Sequence, residues 1–283
     1  MGDDDRPADG SRTPGARRRR RLSDAETAQR MLRAATEMVG RSGLTVSLDH
    51  LSFEDVIREA GVARSAAYRR WPYKDLFFGD LLKELARAVE LSSVAGRESE
   101  ALVRRVIAER LDWLDTPASR RRLLVEVLRL GGEHDFEMLA GSIAWRSYLA
   151  LHATVQSLPP GELRDEVAAA LAESERGFLE RVAASWERWA GLLGYRIRPE
   201  LGISPAVVAT LASATLRGLT LMAAVTPEAA RQRVTADPFG TGPAEWSLAA
   251  LGAASVAATV FEEDPTVTWT EARVAAVRAA LSD

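Results

Sequence analysis

Arg64, Ser65, Tyr68 and Arg69 are the residues of this chain whose types and spacing best suit chemistry with another molecule. Steps of one, four and five positions place all four on one side of a short helix. A guanidinium there can donate two parallel hydrogen bonds to the O6 and N7 atoms of a guanine edge. Each such pair contributes ~1–3 kcal/mol of discrimination between bases. Arg70 falls off this side, and its role stays open between a DNA contact and a solubilising surface charge. For Tyr68 a groove contact and a partly buried ring are compatible.

The elements that must hold these side chains lie between Ser52 and Phe78. Ser52 is placed to cap a short helix, and Glu54 and Asp55 suit the positive end of its dipole. Val56 and Ala60 are one turn apart and face inward. Gly61 follows where a left-handed residue is required, and Val62 plugs the angle before a second helix over residues 63–70. Trp71-Pro72 stops that helix, and a further one starts at Lys74. Two short helices across so tight a turn, the second rich in Arg and Tyr, form the helix-turn-helix plan for the DNA major groove.

At these residues the chain resembles the tetracycline-repressor-like (TetR) transcriptional regulators. Their pattern reads I-A-x-x-A-G-V-S-x-x-T-L-Y-x-H-F-x-x-K-E-x-L. Val56-Ile57 stand for I-A, Ala60-Gly61-Val62 match A-G-V, and Tyr68 falls on the family tyrosine. Trp71 takes the place of the Phe, while Lys74-Asp75 and Phe77 correspond to K-E-x-L. Ala34-Ala35, Met38-Val39 and Gly43-Leu44 resemble the family's first helix, so the likeness covers residues 25–82. It implies that Tyr68 and Lys74 hold phosphates, and Ser52 is counted with them among the candidate DNA contacts. Ala63 replaces the usual capping Ser, Ala66-Ala67 replace Thr-Leu, and Arg70 replaces His. The segment from Gly43 to Phe53 is also longer than the family's. These departures bear on which bases are read more than on DNA binding itself.

Charge is divided along the chain. The whole of 283 residues carries −3, yet residues 11–74 hold 14 basic against seven acidic groups, a net +7. Residues 1–10 and 75–283 carry −3 and −7. Positive charge is therefore concentrated at the helix-turn-helix, as a phosphate-binding surface requires. Arg17, Arg18, Arg19, Arg20 and Arg21 run without a break just before the first helix. A solvated tail is the plain reading of such a run. Its position beside the reading head favours an arm that follows the minor groove or the phosphates.

Hydrophobic residues at 47% suffice for a large core, and the dominance of Ala and Leu over β-branched runs predicts an all-α chain. Without cysteine there is no disulfide framework or thiolate metal site, and the acidic start is unlike a signal peptide, so a cytoplasmic location is expected. The charge-free runs 201–216 and 246–261 have 16 residues each, short of the roughly 20 needed to span a membrane. The expected organisation is a disordered basic arm over 1–21, a helix-turn-helix domain over 22–73, and a helical ligand-binding and dimerisation domain over 74–283. Helices are predicted from Ser23, capped with Glu26, to Gly43, and over residues 74–91, 98–115, 118–130, 133–158 and 162–193. Others are predicted over 204–225, 227–234, 244–261 and 270–281, with a break at Gly131-Gly132 and loops at 194–202 and 237–243.

Tryptophans spread through the body have the bundle core as their default position. The family resemblance implies that some aromatics line an inducer cavity, and Phe136, Met138, Trp145, Tyr148 and His152 are the candidates. Trp145, Tyr148 and His152 follow i, i+3, i+7 spacing and share one helix face. The small-residue helices 204–225 and 244–261 are either an interior pair or, as the resemblance implies, a four-helix homodimer interface. Two reading heads spaced ~34–36 Å apart call for a dimer. His50, His134 and His152 are scattered, and no H-E-x-x-H, G-x-S-x-G or cysteine nucleophile occurs, so an enzyme is not expected. No cofactor is called for. The expectation is a dimeric, ligand-responsive regulator of a palindromic operator, most simply a repressor released by a small, largely apolar effector. A helical ligand- or partner-binding module with a vestigial DNA motif is the alternative, against which the arginine run and the +7 head argue.

Overall fold

Ser23 and Glu26 each accept a hydrogen bond from the other's backbone N–H, closing the capping box that starts α1 (Asp24–Ser42). A computed structural model of the chain describes residues 22–44, 51–88 and 93–281. The arginine run 17–21 and the centre of the long segment, 45–50, lie outside the described residues. After α1 come α2 (Phe53–Ala60) and α3 (Arg64–Arg70), joined across Gly61 at φ 62°, ψ 31°. α4 (Lys74–Ala88) then leads into the body.

The body contains α5 (Ser93–Ala108), α6 (Pro117–Gly141), α7 (Ile143–Ser157) and the 31-residue α8 (Glu162–Leu192). After a short strand β1 (Tyr195–Ile197) follow α9 (Pro205–Val225) and the one-turn α10 (Pro227–Ala230). Strands β2 (Arg233–Ala236) and β3 (Ala244–Ser247) form a hairpin before α11 (Leu248–Val260), β4 (Phe261–Glu263) and α12 (Glu271–Ala280). The fold is all-α, with the helix-turn-helix at its amino-terminal end and two two-stranded antiparallel ladders among the described residues.

Several boundaries differ from the sequence reading. The body's first helix starts at Ser93 and ends at Ala108, leaving a 3-10 turn over Leu111–Leu114. The loop expected over 194–202 contains β1, which pairs with β4 in the register Tyr195↔Glu263. The helix expected to reach residue 234 stops at Ala230, and 244–247 is strand rather than helix. Trp246 is the reason. Its ring is fully buried and its Nε1 donates to the Ala236 carbonyl at 3.1 Å, which holds the hairpin closed. Asp237 accepts from the Thr241 and Gly242 N–H groups and shapes the connecting loop.

Gly131-Gly132 breaks nothing, and α6 runs straight through it. At Gly132 an added Cβ would come within 2.7 Å of the Ala250 Cα, so the glycine is where α6 and α11 cross in contact. Gly252 meets the side chain of Thr215 on α9, so α9 and α11 also approach closely there. The small residues of α11 thus serve close packing inside one chain. Gly132→Ala is expected to lower unfolding stability by about 1–3 kcal/mol, because backbone rather than a flexible side chain must move. Gly131→Ala, with open space around it, is the control and should be neutral or slightly stabilising in the same denaturant titration. Equal stability of the two variants would count against the crossing.

One apolar cluster runs from the head into the body, joining Met31, Trp71 and Phe77 to Trp145, Tyr148 and Phe178. It crosses residue 73 without a seam. A second cluster fills the far end of the body around Leu123, Trp246 and Val277. α9 is 21 residues long, since Arg217 interrupts its apolar run without ending it. By length and composition it is the one described helix able to cross a membrane, and only 28% of its apolar window is buried. Its buried side faces α8 and α11 through Val208, Ala212 and Leu219. Val207, Leu211, Leu221, Met222 and Val225 are exposed.

Candidate nucleic-acid interface and body cluster

Ala67 is fully buried on α3, which fixes the opposite side of the helix as the one in solvent. Arg64, Ser65, Tyr68 and Arg69 are all exposed there. The seating comes from Phe53, whose ring meets Tyr68 edge-on at 5.3 Å and Phe77 at 5.1 Å. Trp71 is buried against Phe77 and donates from Nε1 to Asp80 Oδ2 at 3.0 Å, so the end of α3 is pinned to α4. Val62 is buried under the turn. Lys74 is exposed at the first position of α4.

Ser52 occupies the N-cap position of α2 with extended backbone, but its hydroxyl makes no capping hydrogen bond. Main chain closes the turn instead, with the Val56 N–H donating to the Ser52 carbonyl at 3.1 Å. Ser204, at the head of α9, likewise caps without its side chain. Glu54 and Asp55 already suit the positive end of α2's dipole, so a side-chain cap from Ser52 is not required there.

Sequence reasoning missed the acids around α3. Glu54 accepts from the Tyr68 hydroxyl at 2.7 Å and pairs with Arg64 at 2.9 Å. Asp24 of α1 accepts from Arg69 Nε at 3.1 Å and Nη2 at 2.6 Å. Arg70 lies 3.5 Å from Asp80 and over the Trp71 ring. Each arginine of α3 is therefore held by a carboxylate from a different helix. These pairs are exposed, so each contributes about 0–1 kcal/mol and orients a side chain more than it stabilises the fold. Glu54→Gln should strengthen non-specific DNA binding by about twofold to fivefold at low salt, since one carboxylate beside the cations of α3 is removed. A titration showing weaker binding would instead make Glu54 a positioning group for Arg64 and Tyr68.

In the body, Trp145 and Tyr148 stack at 5.2 Å, and His152 meets Tyr148 edge-on at 4.4 Å. The three share one side of α7, among buried neighbours. Trp145 Nε1 and His152 Nε2 are buried without a hydrogen-bond partner. Burial, then the nearby Arg217 charge, push the His152 imidazole below its ordinary pKa, so it is neutral at pH 7. Phe136 lies elsewhere, packed with Leu219, Ala230 and Ala249. Met138 is half-buried further along α6. The structure brings Trp145, Tyr148 and His152 together and places Phe136 in a separate cluster. It adds Phe178, Glu175 and Arg217, which the sequence signalled only through Arg217 being the one charge on α9.

An uncharacterized HTH-type transcriptional regulator of Mycobacterium tuberculosis is 33% identical over 85 residues, 30% of this chain and 43% of that protein. The chain spans less than half the length of the curated relatives it matches. The reduced form of Escherichia coli NemR aligns with 84% of this chain and 99% of its own, at 13% identity and a TM-score of 0.41. A TetR-family transcriptional regulator from Agrobacterium tumefaciens covers 72% of this chain and 90% of its own, at 16% identity and a TM-score of 0.39. No family profile matches the sequence.

Proposed function

We propose that the chain is a cytoplasmic, homodimeric transcription regulator, a repressor that binds a palindromic double-stranded operator and is released by a small-molecule effector. The observation that supports this best is the exposed side of α3, where Arg64, Ser65, Tyr68 and Arg69 stand together on a helix seated by Phe53, Ala67 and Trp71. Arg64 and Arg69 read base edges, while Ser52, Tyr68 and Lys74 fix the head on the phosphates. Arg17–Arg21 add an arm over 1–21, the head occupies 22–73, and 74–283 carries effector binding and dimerisation. Two heads reach successive major grooves through an interface centred on α9, whose outward face is apolar. The effector acts by population shift, preferring a head spacing that does not fit DNA.

The test is a salt-dependent binding titration on random and selected duplexes. Tight selection of a palindrome is expected. Removal of residues 1–21, which hold seven arginines, should reduce the slope of log K against log salt by about 0.9 for each phosphate the arm neutralises. Binding without sequence preference, carried wholly by the arm, would overturn the reading.

A further inference from the structure

Arg217 is the single charged residue on α9, and it does not point its guanidinium into open water. The guanidinium carbon lies 5.7 Å from the Trp145 ring centre, 5.3 Å from Tyr148 and 5.6 Å from Phe178. Its Nη2 donates to Glu175 Oε1 at 2.6 Å, and the other oxygen of Glu175 accepts from the Tyr148 hydroxyl. Three aromatic rings and a carboxylate around one cation make an aromatic cage, the arrangement that recognises organic cations. Here the cage is filled by the protein's own side chain.

We propose that Trp145, Tyr148, Phe178 and Glu175 are a receptor for planar organic cations bearing N–H groups, amidinium or guanidinium, which enter by displacing Arg217. Stability alone does not account for the ion pair, because well-packed apolar residues commonly serve as well or better at such a position. A second observation points to a ligand. Trp145 Nε1, His152 Nε2 and Arg217 Nε are all buried without partners around this one cage. Such groups are costly to leave unsatisfied, and with Arg217 displaced the Trp145 and His152 nitrogens supply hydrogen-bonding capacity for a body attached to the cation. Access is from the solvent side: the Arg217 and Glu175 side chains are 23% and 21% exposed, whereas Trp145 and Tyr148 are buried. An anion is excluded by Glu175. A neutral molecule would leave that carboxylate unpaired. A quaternary ammonium lacks the N–H that Glu175 accepts.

The consequence for regulation rests on the function proposed above. Arg217 ties α9 to α8, and the cage rings belong to the same apolar cluster as Met31, Trp71 and Phe77 of the head. The Leu44 N–H also donates to Ser147 Oγ on α7, at 3.0 Å. Displacing Arg217 therefore frees one tie of α9 at a point that is packed continuously to the DNA-reading helices.

Benzamidine and its neutral isostere benzamide test the cage, by calorimetry and thermal shift on the full chain. Benzamidine should bind and benzamide should not. Arg217→Ala should bind benzamidine about tenfold more tightly than the unaltered chain, because no side chain competes for the cage. Arg217→Ala/Glu175→Gln should lose that gain. If Arg217→Ala is folded only when benzamidine is present, that too supports the proposal. Arg217→Lys, which keeps the charge without the planar fork, gives a second reading and should also bind more tightly than the unaltered chain. Equal binding of benzamide, tighter binding of tetramethylammonium, or no benzamidine binding to either folded variant would overturn it. Operator affinity is read in a separate titration, so failure to bind DNA counts against the regulator reading and leaves the cage to be decided by benzamidine alone.

Discussion

Alanine at both Arg64 and Arg69 is expected to lower affinity for a selected operator by about 30-fold to 10,000-fold, since each bidentate pairing with a base edge supplies ~1–3 kcal/mol. The side chains are exposed, so the double variant should unfold at an unchanged temperature. Before either arginine can reach DNA it must leave Glu54 or Asp24, at 2.9 and 2.6 Å. That release costs little, because exposed pairs contribute about 0–1 kcal/mol each. The contrast that identifies base reading is Lys74→Ala, expected to weaken all duplexes alike and to flatten the salt dependence by roughly one phosphate. A double variant that still selects the operator as the unaltered chain does would remove α3 as the reading element.

The side of α3 that faces solvent was legible because its evidence is local. Ala67, Tyr68 and the Gly61-Val62 turn each act through neighbours in sequence. α9 was legible as the span 204–225, which the helix fills with Pro205 at its first position. What escaped depends on residues far apart in the chain. Gly132 resembled a break, and only Ala250 across the body makes it a point of close packing. Residues 244–247 run on without punctuation into an apolar helix, so their pairing with 233–236 leaves no helix-or-strand signal of its own. The arginines of α3 are spaced plainly, yet Asp24, Glu54 and Asp80 arrive from three other helices. The cage draws on α7, α8 and α9, and no single segment displays it.

Glutamate at both Leu211 and Leu221 is expected to convert a dimer into a folded monomer of 30.8 kDa, as read by light scattering behind size exclusion. Leu211 and Leu221 are 47% and 55% exposed, and with Val207, Met222 and Val225 they line the outward face of α9. Ala214 and Gly218, also exposed, lie between them and allow close approach by a second helix. An apolar face of this length on a water-facing helix marks a partner surface. A second copy offers the same face, which suits a two-fold contact in which each α9 packs on the other. α11 packs against α6 and α9 of its own chain and exposes Ser255 and Thr259 but no apolar side chain, so α9 should carry most of the interface. Charges placed on exposed positions leave the monomer core untouched, and the defect should therefore appear in assembly rather than in circular dichroism. Affinity for a full palindrome should fall by about 10²–10⁴-fold, towards that for a half-site, because the second head no longer binds as part of the same molecule. A variant that stays dimeric would move the interface off α9, and an unaltered chain that is monomeric at micromolar concentration would remove the dimer itself.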